Sequence, residues 1–191
     1  MPQIPPERLS RIPQEQWNEE QKKVAAAIVA GPRGEVRGPF IALLRSPGLA
    51  GPIQQVGEYL RFRSPLDRRI AEMATLMAAR HWTQQYEWQS HHTHAMKAGL
   101  SPAIAQAIAE GRRPAGMAGD EEALYDLLTE ALHNKSVSDM TYGRALGVFG
   151  EQGVIELLAV AGYYAMLALI LNVARKELPV GKEPMLPWFP H

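Results

Sequence analysis

The most constraining feature of this 191-residue sequence is a series of signals that mark where helices begin and end. Proline follows serine at Ser46, Ser64 and Ser101, and a capping hydroxyl followed by proline is typical of a first helical turn. Gly99 and Gly111 suit the left-handed conformation that ends a helix. No segment alternates apolar and polar residues between turn signals, as a half-buried strand would. The sequence therefore predicts an all-α fold.

Acidic residues mark two further helix starts, at Asp120 and Asp139, because negative charge is favoured at the positive end of the helix dipole. The segments 65–98 and 120–177 each combine a long and a shorter packed helix, which suggests a possible internal duplication. The predicted helices are at residues 14–29, 39–45, 48–62, 65–81, 84–98, 102–110, 120–134, 138–148 and 151–177.

Both ends of the sequence are rich in proline, which disfavours helix. We therefore expect an extended arm at residues 1–20, a single helical domain at 21–178 and an extended tail at 179–191. The first residues contain no apolar stretch of the kind that signal peptides have, so we expect a cytoplasmic protein.

Residues 157–171 form an uncharged run of 15 residues with Gly162, Tyr163 and Tyr164 near its middle. A membrane-spanning helix needs about 20 residues. We expect instead a helix that is buried on all sides, and no association with a membrane. A second subunit would help a chain of this size to bury such a helix, so the run also favours a homo-oligomer.

The composition excludes several classes of function. Lys plus Arg and Asp plus Glu both number 20, so the chain lacks the basic excess of nucleic-acid-binding proteins, and we expect no nucleic-acid partner. The chain has no cysteine, which excludes disulfides, thiolate metal ligands and every mechanism that needs a cysteine nucleophile or redox pair.

The densest cluster of chemical groups is at residues 80–94, which hold four of the six histidines. At 100° per residue along a helix, His91 and His94 fall within about 40° of Glu87, on one polar face. His92 falls on another face. Carboxylates beside histidines at helical spacing are typical of proton-transfer sites.

Glu72 lies in the preceding predicted helix among apolar residues. A buried carboxylate is costly unless it is paired, and a nearby histidine is its natural partner. Pairing is expected to raise the pKa of His91, since a nearby anion favours the charged imidazole. We therefore expect His91 to serve as the proton donor near neutral pH. Two other interpretations stay open: a hydrogen-bonded network that only orders the packed helices, and, less strongly, a metal site formed by Glu87, His91 and His94.

Several separated motifs resemble the carboxymuconolactone decarboxylase family, which also contains alkylhydroperoxidase D. The resemblance covers about residues 20–178, with the motifs in the expected order. The matching segments are Gly38–Pro47, Gly57–Arg63, Arg69–Glu72, Ala79–Trp82, Gln85–His91 and Lys97–Ser101.

The peroxidase members of that family use a glutamate, a Cys-x-x-Cys pair and a histidine. Glu72 and His91 match the glutamate and the histidine, whereas Gln84 and Glu87 occupy the two cysteine positions. A thiol peroxidase mechanism therefore cannot operate, even if family membership suggests a peroxiredoxin-like protein. The decarboxylase members also lack the cysteines and carry Tyr-Glu-Trp here, as this chain does. The resemblance implies an alkylhydroperoxidase D-like helical bundle that assembles as a trimer or hexamer, with sites near subunit contacts.

The expected function is that of a cofactor-free decarboxylase or related proton-transfer enzyme that acts on a small lactone or carbonyl acid. Glu72, Glu87 and His91 are the expected catalytic residues, and no metal or cofactor is expected. The expected substrate contacts are His81, Trp82, Gln84, Tyr86 and His94.

An anionic substrate would also need a cation, which Arg80 or Arg63 would have to supply. The alternative is a non-catalytic oligomeric helical protein with a structural Glu and His network. In an enzyme, Glu72, Glu87 and His91 should converge on an open void. A structural network should be dry and fully paired.

Overall fold

The structure of the chain is a computed structural model that describes residues 6–187. Within that range the chain is helical, with no β-strand. The helices, in chain order, are α1 (Glu19–Ala30), α2 (Pro39–Leu43), α3 (Pro47–Phe62), α4 (Arg68–His81), α5 (Gln85–Lys97), α6 (Pro102–Ala109), α7 (Gly119–Thr129) and α8 (Asp139–Ala174), with a 3₁₀ turn at Gln14–Gln16 and a π-helical turn at Glu130–Asn134. The predicted all-α fold is confirmed.

Local signals explain most helix ends. Pro47 and Pro102 are the first residues of α3 and α6. Gly99 and Gly111 have φ angles of 92° and 73°, in the left-handed region that glycine tolerates best. The predicted helix starts and the two glycines are confirmed, but the predicted capping by the Ser46 and Ser101 hydroxyls is wrong, because neither side chain makes a capping hydrogen bond.

The predicted helix start at Ser64 is wrong. Helix α4 begins at Arg68, because the Asp67 side chain accepts the backbone N–H groups of Arg69 and Ile70 and caps the helix. The Ser64 hydroxyl instead donates to the carboxylate of Glu156 on α8.

Helix α4 is the centre of the fold, and every residue from Ile70 to Arg80 is buried. It packs against α5, α6, α7 and α8. The core cluster includes Met73 and Leu76 from α4, Trp88 from α5 and Leu157 from α8. Glu72 is therefore held on a helix that has almost no solvent-facing side.

Helix α8 contains the long uncharged run. Its 36 residues are interrupted at Gly150, whose φ of 67° is not helical, so the two helices predicted on either side of it are stacked end to end. The helix is long and apolar enough to cross a membrane, but 56% of its most apolar window is buried inside the fold. It packs against α4 and α7, as the core helix of a soluble protein does.

Both ends of the described chain lie against the helices. The Arg8 backbone N–H donates to the Ala174 carbonyl at 2.8 Å, and Lys176 pairs with Glu7 at 3.1 Å. In the tail, Leu186 is buried, and its backbone N–H donates to the Gln85 side chain.

The predicted limits of the arm and tail stay predictions, and residues 1–5 and 188–191 lie outside the described part. The possible duplication also stays a hypothesis. The first helix pair has 14 and 13 residues in α4 and α5, whereas α7 and α8 have 11 and 36.

Candidate active site

A partly open cleft of about 450 Å³ lies where the loop before α2 meets α5 and α8. Two of the three expected catalytic residues, Glu87 and His91, line it. Glu72 lies behind His91 and does not. The lining residues are Arg33, Arg37, Gly38, Pro39, Phe40, Arg61, Tyr86, Glu87, Ser90, His91, Tyr163, Tyr164 and Leu167.

The start of α5 places Glu87 in the cleft wall. The Gln84 side-chain oxygen accepts the backbone N–H groups of Tyr86 and Glu87, at 2.6 and 3.2 Å, and so caps the helix. The Gln84 amide donates to Asn172 on α8 at 2.9 Å, which ties α5 to the core helix. Gln84 therefore positions the site rather than lining it.

Gly38 forms the opposite wall. Its φ of 56° lies in the left-handed region, and a Cβ there would come within 3.0 Å of the Tyr86 ring. The close approach of the α2 start to α5 thus depends on glycine at this position.

Glu72 and His91 form a buried pair, as predicted. The Nδ1 atom of His91 lies 2.6 Å from Glu72 Oε2, and the other oxygen, Oε1, forms an ion pair with Arg68 at 2.5 Å. Both residues are buried, at 2% and 7% exposure. Because the ionised Glu72 carboxylate accepts a hydrogen bond from Nδ1–H of His91, Nε2 is the basic nitrogen of the ring, and it has no hydrogen-bond partner among residues 6–187.

Burial alone would raise the pKa of Glu72, but the hydrogen bond from His91 and the nearby positive charges hold this pKa below its ordinary value. The predicted rise in the pKa of His91 is wrong. Burial disfavours the imidazolium more than Glu72 favours it, and Arg61 and Arg68 add repulsion, so the pKa of His91 is lowered. The pair is an ionised carboxylate with a neutral imidazole.

The pKa of Glu87 is shifted in the opposite direction to that of Glu72. Only 3% of it is exposed, and within the described part of the chain neither carboxyl oxygen has a hydrogen-bond partner. Burial without a compensating charge raises the pKa of Glu87 well above its ordinary value. Two carboxyl groups in one site therefore have pKa values shifted in opposite directions, that of Glu72 lowered and that of Glu87 raised.

The cations of the cleft come from residues that the sequence analysis missed. Arg33, Arg37 and Arg61 line it, whereas Arg63 and Arg80 do not. The Nε atoms of Arg33 and Arg61 are buried without a hydrogen-bond partner from residues 6–187. The two guanidinium groups thus have donor capacity that the described chain leaves unused.

Tyr163 fixes one of these cations. Arg33 donates to the Tyr163 hydroxyl at 3.3 Å, and its guanidinium lies 4.7 Å from the centre of the Phe40 ring. A Cβ at Gly57 would overlap both the Tyr163 hydroxyl and the Arg33 guanidinium. Glycine on α3 is therefore needed for the contact between this arginine and α8.

Among the expected substrate contacts, Tyr86 lines the cleft, but His81, Trp82, Gln84 and His94 do not. The His94 ring lies beside that of His91, with centroids 5.8 Å apart. Trp82 ends α4, and its carbonyl accepts from Asn172.

His81 lines a separate cleft with His133, and the two ring centroids are 5.2 Å apart. Helical spacing alone did not predict that His81 lies apart from Glu87 and His91. The chain turns at Trp82 and Thr83, between α4 and α5, and this turn separates them. Within residues 6–187 no group of three or more His, Cys, Asp or Glu side chains is placed to hold a metal ion.

Comparison with known proteins bears on the fold. No family model matches the sequence, and no curated protein matches it significantly. The chain is similar in structure to a protein of unknown function from Agrobacterium tumefaciens, described provisionally as the antioxidant defence protein AhpD. The TM-score is 0.65, and the match covers 72% of this chain and 95% of the other at 16% identity. The fold is AhpD-like. This agrees with the bundle that the sequence motifs imply, and at this identity the similarity concerns the fold alone.

Proposed function

We propose that the cleft is the active site of a cofactor-free enzyme that decarboxylates, or moves a proton on, a small lactone or carbonyl acid. The observation that supports this most is Glu87, a buried carboxyl group in the cleft wall whose oxygens have no partner among residues 6–187 and whose pKa is raised by burial. A carboxylic acid whose pKa is raised toward neutrality is suited to general acid catalysis.

Arg33 and Arg61 would bind the carboxylate of the substrate. A guanidinium group holds a carboxylate through charge-assisted hydrogen bonds, and both side chains have an unused Nε donor. The apolar wall at Phe40 and Leu167 would accept the carbon skeleton. Arg33 and Arg61 therefore supply the positive charge that an anionic substrate requires. Helix α5 contributes no Lys or Arg to the cleft.

In the decarboxylation, the carbon–carbon bond to the carboxylate breaks, carbon dioxide leaves, and the electron pair becomes an enolate. The Glu87 carboxyl group gives its proton to the enolate carbon and recovers a proton from water. For a substrate without a leaving carboxylate, Nε2 of His91 would take an α-proton, and Glu72 would stabilise the imidazolium that forms. This assignment makes Glu87 the acid and His91 the base.

The alternative of a purely structural network predicts a dry and fully paired cluster. An open cleft and an unpaired Glu87 support the enzyme instead. Self-association as a trimer or hexamer remains part of the proposal. It is supported by apolar residues that α8 leaves in solvent, with Ile155 66% and Val173 60% exposed. We propose a cytoplasmic location.

The test is a panel of γ-carboxy lactones and β-keto acids, assayed for release of carbon dioxide by native protein and by Glu87→Gln. We expect release above the buffer rate from at least one compound, and a loss of about two to four orders of magnitude in the variant. The control is Glu183→Gln, which alters an exposed carboxylate in the tail. No release from any member of the panel, or equal release by Glu87→Gln, would refute the proposal.

A further inference from the structure

Tyr164 is a buried ionisable residue of the cleft that the proposed steps do not use. It lies on α8 at 4% exposure, and its ring packs edge-on against His91 with centroids 4.7 Å apart. Its hydroxyl makes no hydrogen bond to any residue of the described range. Tyr164 lines the cleft, and its hydroxyl is not enclosed by other protein atoms, so a molecule bound in the cleft can accept a hydrogen bond from it.

The neighbouring tyrosine shows the contrast. Tyr163 also lines the cleft, and the two rings pack edge to face at 5.3 Å. The Tyr163 hydroxyl accepts from Arg33, so it already has a structural role. Of these two adjacent phenols, Tyr164 is the one whose hydroxyl is free to contact a ligand.

The surroundings of Tyr164 determine what it can recognise. Burial raises the pKa of Tyr164, so the phenol keeps its proton and acts as a donor. Glu87 lines the same cleft and its pKa is also raised by burial, which favours the form that can donate, and Arg61 adds positive charge. Preorganised donors in a site shielded from water stabilise the negative oxygen that forms when a carbonyl becomes an enolate.

We propose that the Tyr164 hydroxyl donates a hydrogen bond to the substrate oxygen that becomes the enolate, which makes Tyr164 a further catalytic residue. When the carboxylate leaves or His91 removes the α-proton, the electron pair moves onto the carbonyl oxygen. Tyr164 keeps its own proton throughout, and the charge returns to carbon when carbon is protonated. The reaction named here rests on the proposed function. The binding of an oxygen-centred anion by Tyr164 is independent of the proposed function.

Binding of para-nitrophenol tests this directly, because its phenolate resembles an enolate and absorbs visible light. Native protein should bind the ionised form preferentially and lower the apparent pKa of the bound phenol. Tyr164→Phe keeps the ring and removes only the donor, so we expect phenolate affinity to fall about ten- to one-hundred-fold, as for loss of a hydrogen bond to a charged group. Binding of para-nitroanisole, which cannot ionise, should stay within about twofold.

The matched control is Tyr142→Phe, which removes an exposed hydroxyl elsewhere on α8 and should leave phenolate affinity unchanged. Equal phenolate affinity in Tyr164→Phe and native protein would overturn the inference, and so would preferential binding of the neutral phenol. In native protein, the phenolate complex should also show a strongly downfield hydroxyl proton by NMR, and its absence would overturn the inference even if the variant failed to fold. If phenolate binding depends on Tyr164 but no carbonyl acid is turned over, the proposed reaction fails and the oxyanion site stands.

Discussion

As the pH rises, the Glu87→Gln variant should gain stability relative to native protein. In the folded state Glu87 is buried without a partner from residues 6–187, and its pKa is raised well above its ordinary value of 4.5. The unfolded chain loses this proton near that ordinary value, whereas the folded protein keeps it. Rising pH therefore favours the unfolded state. The stability that Glu87 contributes is fully present below the unfolded pKa and is lost as pH rises toward the folded pKa.

The size of this pH dependence follows from the one proton that the unfolded chain loses and the folded protein keeps. Between the unfolded and folded pKa values, native protein should lose about 1.4 kcal/mol of unfolding free energy per pH unit relative to Glu87→Gln, which does not titrate. A constant offset of about 1 kcal/mol between the two proteins is expected from the different polar group. It does not alter the slope.

The assay is urea unfolding at one fixed protein concentration, in steps from about pH 5 upward, since an oligomer's stability depends on concentration. The control, Glu183→Gln, changes an exposed carboxylate and should give a difference from native protein that does not vary with pH. A difference between native protein and Glu87→Gln that stays flat with pH would refute the reasoning, because Glu87 would then titrate alike in both states.

Four further results are expected. His91→Ala and Glu72→Gln should each lower turnover of an identified substrate by about two to four orders of magnitude, whereas His92→Ala, outside the cleft, should change it less than about threefold; equal losses in all three would contradict the assignment. Turnover of cumene hydroperoxide with a dithiol reductant should stay at the heat-inactivated background, because the chain has no cysteine; any excess over that background would show another peroxidase mechanism. Light scattering at micromolar concentration should give a mass that is a multiple of 21.2 kDa; a single 21.2 kDa species would contradict self-association. Gly57→Ala should destabilise the fold by about 1–3 kcal/mol, measured by urea unfolding, because the added methyl overlaps the Tyr163 hydroxyl; an unchanged midpoint would show that α3 and α8 can move apart.

The helical fold was predictable because its signals are local. Pro47 and Pro102 begin helices and Gly99 follows one, as residue-by-residue preferences require. Ser64 failed as a helix start because its hydroxyl bonds to Glu156, 92 residues away, and no local pattern contains that contact.

The pairing of Glu72 with His91 was also predictable, since a carboxylate within an apolar helix needs a partner nearby. The protonation states were not. The attraction of Glu72 for the imidazolium follows from the sequence, whereas the depth of burial of His91 and the nearby charge of Arg68 follow only from the tertiary structure. Burial also decides the state of Glu87, whose α5 spacing suggested only that it shares a face with His91.

The remaining cleft residues come from distant segments. Arg33 follows α1, Arg61 lies in the last turn of α3, and Tyr163 and Tyr164 lie in α8, so only tertiary packing brings them together. One signal did exist. Two adjacent tyrosines lie within the uncharged run, and tyrosine hydroxyls on a buried helix usually have a hydrogen-bond partner.

Hydrogen–deuterium exchange tests the central claim most directly, because it follows proton transfer to carbon without requiring loss of a carboxylate. The measurement is proton NMR of a panel of carbonyl acids and lactones in heavy water, with native protein, His91→Ala and a buffer blank. We expect native protein to exchange the α-protons of at least one compound faster than buffer, and His91→Ala, which lacks the proposed base, to reduce this enzymatic rate by about one-hundred-fold or more. Exchange at the buffer rate throughout the panel, or equal exchange by native protein and His91→Ala, would contradict the proposed function.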